Sequence, residues 1–348
     1  MGIKGLSALL KRYAPDGMKV QTLDQLTRQT RWYAMDVSGY LYASQYNAEH
    51  KGKNNHIREF FQIISHAAEH GIRFVFVFDG NTRSVAKQQT TEERSEKIGN
   101  QKDRIRTLLQ VPDDAVYQGA DLKALAFDRL NGLPTEERLE LAQLLRNYIV
   151  IQPQFYADLK ELFTRLGAPF LRAQGEADFL CAALYRAGLV DGVMSEDMDM
   201  LSHGVGFLVR GINTYRGLTT YTLETILAGL GLTLEQFREL SVLCGCDYCP
   251  KLAGVAGIRG LLLLQKHGNL AAVVAAQKTP PPDNFLVEAE RAVRIFSGNQ
   301  EEIPSGFGIP TGYTVNPSAR SWLVEQTGPI ANLDGKLRVI AAAGTGLG

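Results

Sequence analysis

Apolar residues in this chain fall into two kinds of run. Trp32-Tyr33-Ala34-Met35 and Phe74-Val75-Phe76-Val77-Phe78 are short unbroken blocks, aromatic and β-branched, of the sort that forms strands buried on both faces of a parallel sheet. Elsewhere apolar positions recur three and four apart, as helices require: Ala177, Leu180, Cys181 and Leu184; Leu234, Phe237, Leu240 and Leu243; Leu139, Leu141, Leu144, Leu145 and Tyr148; and a stretch from Phe285 to Phe296. Strand blocks set among helical ones predict an α/β chain with a mostly parallel central sheet flanked by helices.

Acidic residues interrupt this pattern in revealing places. Asp36 directly follows the first strand block and Asp79-Gly80 the second, so both acids stand at carboxyl ends of strands, where open α/β sheets place their functional crevice. One such Asp alone reads more readily as a turn residue or a helix N-cap. Two further pairs, Glu176-Ala177-Asp178 and Asp197-Met198-Asp199, set one spacer between two acids, and in an extended segment that spacing aims both the same way. The first pair opens the helix after Gly175, where acids would also simply complement the helix dipole. A seventh acid, Asp247, lies among Cys244, Cys246, Tyr248 and Cys249, a setting too apolar for full solvation. Carboxylates gathered in this number would raise one another's pKa values unless cations neutralised them. Hard oxygen ligands suit Mg²⁺, or Mn²⁺ in its place, better than zinc.

The segments Met1-Gly2-Ile3-Lys4-Gly5-Leu6, Met35-Asp36, Val77-Phe78-Asp79-Gly80, Gly175-Glu176-Ala177-Asp178, Ser195-Glu196-Asp197-Met198-Asp199 and Gly245-Cys246-Asp247-Tyr248-Cys249 occur in an order that resembles the flap endonuclease (XPG-type) structure-specific nucleases. The resemblance runs from residue 1 to about 270, with a looser likeness at Leu323-Val324-Glu325 and Leu337-Arg338-Val339. It implies a PIN-like nuclease core with a helical arch and a helix-two-turn-helix element. The implied activity is that of a Mg²⁺-dependent 5′ nuclease that recognises branched or nicked DNA and cuts near the junction. Asp36, Asp79, Glu176 and Asp178 would hold one cation, and Asp197, Asp199 and Asp247 a second, partly through water. Two ions about 3.5 to 4 Å apart can activate a water and stabilise the leaving 3′ oxygen of an in-line displacement.

Total charge says less than its distribution. The 348 residues carry 37 basic and 37 acidic side chains, a balance that by itself argues against nucleic acid, yet setting the seven acids aside leaves the remaining surface with a basic excess. Between residues 83 and 106 seven basic residues stand against four acidic ones, which taken alone reads as a solvated mixed-charge helix. Lys87 and Arg94, seven apart, would share one helical face. By resemblance they reach from the arch toward the scissile phosphate, with one extra residue after Asp79-Gly80 relative to the family's spacing.

Residues 108–150 are expected to form an arch or cap that a single strand could thread or pass beneath, although 111–138 reads equally as a purely structural insertion. After Asp247 the run from Lys251 through Gly254 and Gly257 to Arg259 precedes an apolar helix. There the family grips duplex backbone through loop amides and a monovalent cation. Ala256, Gly257 and Ile258 replace its usual Gly-hydrophobic-Gly-Pro-Lys, so duplex binding is expected through Lys251, Arg259 and Lys266, with the cation an open expectation. Gly2 lies by resemblance near the cleft, and Leu6 breaks the myristoylation pattern. Tyr42 falls where the family stacks an aromatic on the base beside the cut; the alternative is core packing beside Tyr40 and Leu41.

Cys244, Cys246 and Cys249 lack a second cluster, and with Cys181 they read as buried reduced thiols of a soluble intracellular protein. No apolar run reaches membrane-spanning length, so no membrane contact is expected. The expected organisation is a nuclease region over 1–107, the insertion over 108–150, a second nuclease region with the helix-two-turn-helix over 151–275, and a stretch over 276–348 completing one domain. The functional expectation is a monomeric 5′ flap endonuclease with 5′–3′ exonuclease activity on branched or flapped DNA, in replication or repair. It would work in the nucleus or another site of DNA replication, a viral setting included. A junction-resolving or mainly exonucleolytic relative is the alternative, and a non-catalytic DNA-binding scaffold the alternative of another class. Residues 276–348 contain no sliding-clamp peptide of the form Gln-x-x-hydrophobic-x-x-aromatic-aromatic.

Overall fold

Two strands without a polar face must lie between layers, and both lie inside the sheet rather than at its edges. The computed structural model describes residues 3–26, 32–45, 54–81, 88–112, 119–212, 217–255, 257–298 and 301–342. Among them seven strands make one sheet: β1 (Met18–Gln21), β2 (Trp32–Asp36), β3 (Arg73–Phe78), β4 (Phe170–Arg172), β5 (Gly192–Met194), β6 (Phe207–Arg210) and β7 (Leu218–Thr222). Their spatial order is β1-β7-β6-β5-β2-β3-β4, parallel from β6 through β4 and antiparallel where β7 joins β6 and β1 joins β7.

Alternation along β2 and β3 sorts side chains by size. Ala34, Val75 and Val77 face one core, with the helices Ala177–Arg186, Leu223–Leu230, Leu234–Cys244 and Phe285–Ser297 over them. Tyr33, Met35, Phe74, Phe76 and Phe78 face the other, against Asn55–Glu69 and Pro153–Leu166. There Phe76 stacks on Phe163 with ring centroids 3.8 Å apart and planes 9° off parallel.

β4 covers only the last half of β3, starting at Phe76. The buried hydroxyl of Tyr313 completes that edge, accepting from the Phe74 N–H at 2.6 Å and donating to its carbonyl at 3.1 Å. The same terminal third holds more helix than periodicity indicated. Besides Phe285–Ser297 it forms Ala319–Thr327 and Leu333–Ala342, which bury Leu323, Leu333 and Ile340 beside Asn55–Glu69.

A third, smaller core lies between the end of the helix Gln88–Leu108 and the helices Gly119–Arg129 and Thr135–Asn147. Ile105, Leu122, Leu141 and Tyr148 fill it. Arg104 grips Glu140 through two nitrogens at 2.5 and 2.8 Å, an exposed pair that orients the first helix on the third more than it stabilises them.

Candidate active site

The strand order dictates where acids collect. β2 ends on Asp36, which also caps the helix Val37–Ser44, its Oδ1 accepting from the Ser38 N–H at 3.0 Å. The cap and the cleft carboxylate are therefore one residue. The Ser38 hydroxyl donates to Asp79 Oδ2, at the end of β3, and Asp79 Oδ1 accepts from the Ala177 N–H at 2.9 Å. Asp79 thus holds the start of the helix Ala177–Arg186, whose N-cap is Glu176 and whose first turn carries buried Asp178. Gly80 permits this approach: a Cβ there would stand 2.0 Å from the Gln174 carbonyl oxygen.

Beyond β5, Ser195 donates to Asp36 Oδ2 at 3.2 Å and accepts from the Asp197 N–H at 3.1 Å. Asp197 Oδ1 in turn takes the Asp199 N–H at 2.9 Å, and Asp199 Oδ1 takes the Ile3 N–H at 3.0 Å. The N-terminal segment is thereby tied into the cleft, although Gly2 itself lies outside the described residues. Asp247 follows the helix Leu234–Cys244 in a tight turn bridged between Cys246 and Cys249, and its neighbour Tyr248 donates to Glu176 Oε2 at 3.0 Å.

Electrostatics report the same convergence. The Asp36 carboxyl is pushed up to about 7, by burial first, then by the negative charge of Asp79 and less by that of Asp197, against the lowering hydrogen bonds of Ser38 and Ser195. Burial pushes the Cys181 thiol up, and Asp36, Asp178 and Asp79 push it further. Cys246 is pushed up to about 12, chiefly by burial, with Asp199 contributing. A site that drives its own carboxyl toward neutrality is one that cations would stabilise. Among the described residues no three of these acids bring ligand oxygens within 4.8 Å of one another.

The remaining expected residues divide. Tyr42 is 41% exposed while Tyr40 and Leu41 are buried, so it does not pack in the core. Lys251, Arg259 and Lys266 are exposed, the last two along the helix Ile258–His267. Gly254 and Gly257 take φ of 70° and 52°, conformations that glycine adopts without strain. The Gly257 N–H turns inward to Cys244 Sγ at 3.2 Å, which removes it from any outward phosphate grip. Lys87 lies outside the described residues. Arg94 belongs to the helix Gln88–Leu108.

Three supporting residues escaped the sequence reading. Ser38 links two carboxylates. Glu301, buried in the terminal third, accepts from the Gln174 N–H at 2.9 Å and from the Gly175 N–H, bracing the loop that delivers Glu176. Arg172, at the end of β4, donates to the Asp79 carbonyl at 3.4 Å and to Asn81. Only Ser38 had a sequence signal, its place two residues after a strand-terminal Asp.

Residues 1–101 match the XPG N-terminal domain and residues 167–247 the XPG I-region. Flap endonuclease 1 of Ostreococcus lucimarinus is 29% identical over 302 residues, spanning 82% of this chain and 71% of that protein. Flap endonuclease 1 of Cryptosporidium muris is 30% identical over 311 residues, spanning 82% and 60%. The catalytic core of Rad2 in complex with DNA substrate has the same fold, with a TM-score of 0.67 at 20% identity, over 95% of this chain and 98% of that one. The architecture is that of PIN-like nucleases. The chain belongs to the XPG-type family of flap endonucleases, and it is accordingly a DNA nuclease, a phosphodiester hydrolase.

Proposed function

We propose that this chain is a Mg²⁺-dependent, structure-specific 5′ flap endonuclease with accompanying 5′–3′ exonuclease activity, working as a monomer on branched or nicked DNA in replication or repair. The supporting observation is the tie from Asp36 to Asp79 through Ser38 and to Asp197 through Ser195, at the carboxyl ends of adjacent strands. Asp36, Asp79, Glu176 and Asp178 would hold one Mg²⁺, and Asp197, Asp199 and Asp247 another, with Mn²⁺ as a substitute. Bound there, the two ions supply charge neutralisation and a water of lowered pKa.

The chain's own groups do the rest. Ser38 and Ser195 fix carboxylate orientation, and the N–H groups of Ala177 and Ile3 hold Asp79 and Asp199 in place. Lys87 and Arg94 would offset charge on the scissile phosphate from the arch side. Tyr42 stacks on a base beside the cut. Lys251, Arg259 and Lys266 anchor duplex phosphates without reading sequence.

Purified chain given Mg²⁺ and a panel of double-flap, nicked, gapped and four-way-junction DNA is expected to cut the flap most efficiently. Asp197→Ala is expected to lower the rate by about 10³-fold, because a catalytic metal supplies several kcal/mol and each 1.36 kcal/mol is tenfold. Preference for the four-way junction would instead assign it as a resolving enzyme, and cleavage undiminished in Asp197→Ala would remove the carboxylate centre from the mechanism.

A further inference from the structure

We propose that His66, Glu69 and His70, with Asp24 behind His70, form a second metal site, one for a transition-metal cation of the Zn²⁺ type rather than Mg²⁺. The ligand atoms of the three residues all lie within 4.8 Å of one another. His66 and Glu69 end the helix Asn55–Glu69, and His70 is its C-cap. Residues three and four apart share a helical face, so the chain presents the two imidazoles side by side. Their ring centroids are 5.2 Å apart and nearly perpendicular, and Glu69 Oε2 lies 3.3 Å from His66 Nδ1.

Asp24 supplies the orienting contact. Its Oδ1 lies 2.7 Å from His70 Nδ1, from the short helix Leu23–Leu26 on the other side. A carboxylate there takes the Nδ1–H and leaves the Nε2 lone pair for a cation, the arrangement that fixes metal-bound histidines in many proteins. Two imidazoles and one carboxylate, open to solvent for further water ligands, suit Zn²⁺ or its neighbours in the first transition row and do not suit Mg²⁺. Without a metal the same residues form a local His–Glu pair and a histidine complementing a helix C-terminus.

The site is separate from the carboxylate cleft. His70 precedes β3 and Asp79 follows it, so the strand's length, about 20 Å at about 3.3 Å per residue, stands between them. An ion here would lock the end of the helix that leads into β3, with the segment before β2 joined to it through the Asp24–His70 contact, and would stabilise the folded state by mass action.

Calorimetric titration of the whole chain with Zn²⁺, in excess Mg²⁺ to occupy the cleft, tests this. One equivalent of Zn²⁺ is expected to bind and raise Tm while flap cleavage in Mg²⁺ stays unchanged. His66→Ala/His70→Ala should abolish that binding, and Asp24→Asn, which removes no ligand, should weaken it by about 10- to 100-fold. His66→Gln, at a side chain 61% exposed, provides the same comparison with no burden on the fold. The proposal is overturned if no Zn²⁺ binding survives excess Mg²⁺. Binding undiminished in His66→Gln and the double variant would overturn it too, by locating the ion at the cleft or at Cys244, Cys246 and Cys249.

Discussion

The central sheet and the arch both bury leucines and aromatics, but they bury them to different depths. β2 and β3 have a complete apolar layer on each face, whereas the arch has one small core between three helices. The outer face of its first helix is charged and exposed. Asp36 and Asp79 are fixed to the ends of those deeply buried strands. Arg94, proposed to face the phosphate, belongs to the thinner element, which can reorganise at little cost to the rest.

The comparison is broken most sharply by truncating one ring. Phe163→Ala, which removes a fully buried side chain stacked on Phe76, is expected to lower global stability by about 3–5 kcal/mol, read from denaturant unfolding. Leu141→Ala, equally buried but in the arch, is expected to cost about 2–5 kcal/mol locally. Hydrogen exchange should rise across 105–148 in that variant while the sheet keeps its protection. A global unfolding shift of equal size in both variants would mean that the arch and sheet form one cooperative unit.

A smaller effect should come from pH. The Asp36 carboxyl sits at about 7 in the folded, metal-free chain against 3.8 ordinarily. Its stabilising contribution is therefore complete below the ordinary value and is lost as pH rises through about 7. Between pH 5 and 7 a cation must displace that proton, so Mg²⁺ affinity at the cleft should rise by about 10-fold per pH unit, about 100-fold in all. Mg²⁺ should accordingly raise Tm more at pH 7 than at pH 5, and equal shifts at the two pH values would remove Asp36 from the ligand set. Tyr42→Ala is expected to weaken flap binding by about 1–3 kcal/mol, read by fluorescence anisotropy, with Tm unchanged because the ring is exposed.

What the sequence disclosed follows the same division. Unbroken runs such as 74–78 announce strands inside the sheet, and an acid placed just beyond such a run inherits its position from the sheet. β4 and β5, three residues each, exist because a neighbour pairs with them, and β1 and β7 carry Lys19, Thr219 and Thr220 in a half-polar pattern that periodicity does not separate from loop. The aromatic run Tyr40-Leu41-Tyr42 left core packing and stacking open until the cap at Asp36 fixed the phase of the helix and turned Tyr42 outward. Glu301 lies more than a hundred residues from the amides it accepts, and no local pattern encodes such a partnership. The helices at 319–327 and 333–342 are short, and their apolar residues find meaning only against Asn55–Glu69.

The Glu301 brace also carries a consequence for biosynthesis. All seven acids are translated by residue 247, but the group that seats the turn before Glu176 follows more than fifty codons later. A nascent polypeptide can therefore contain every one of these carboxylates while the loop that carries Glu176 still lacks its brace.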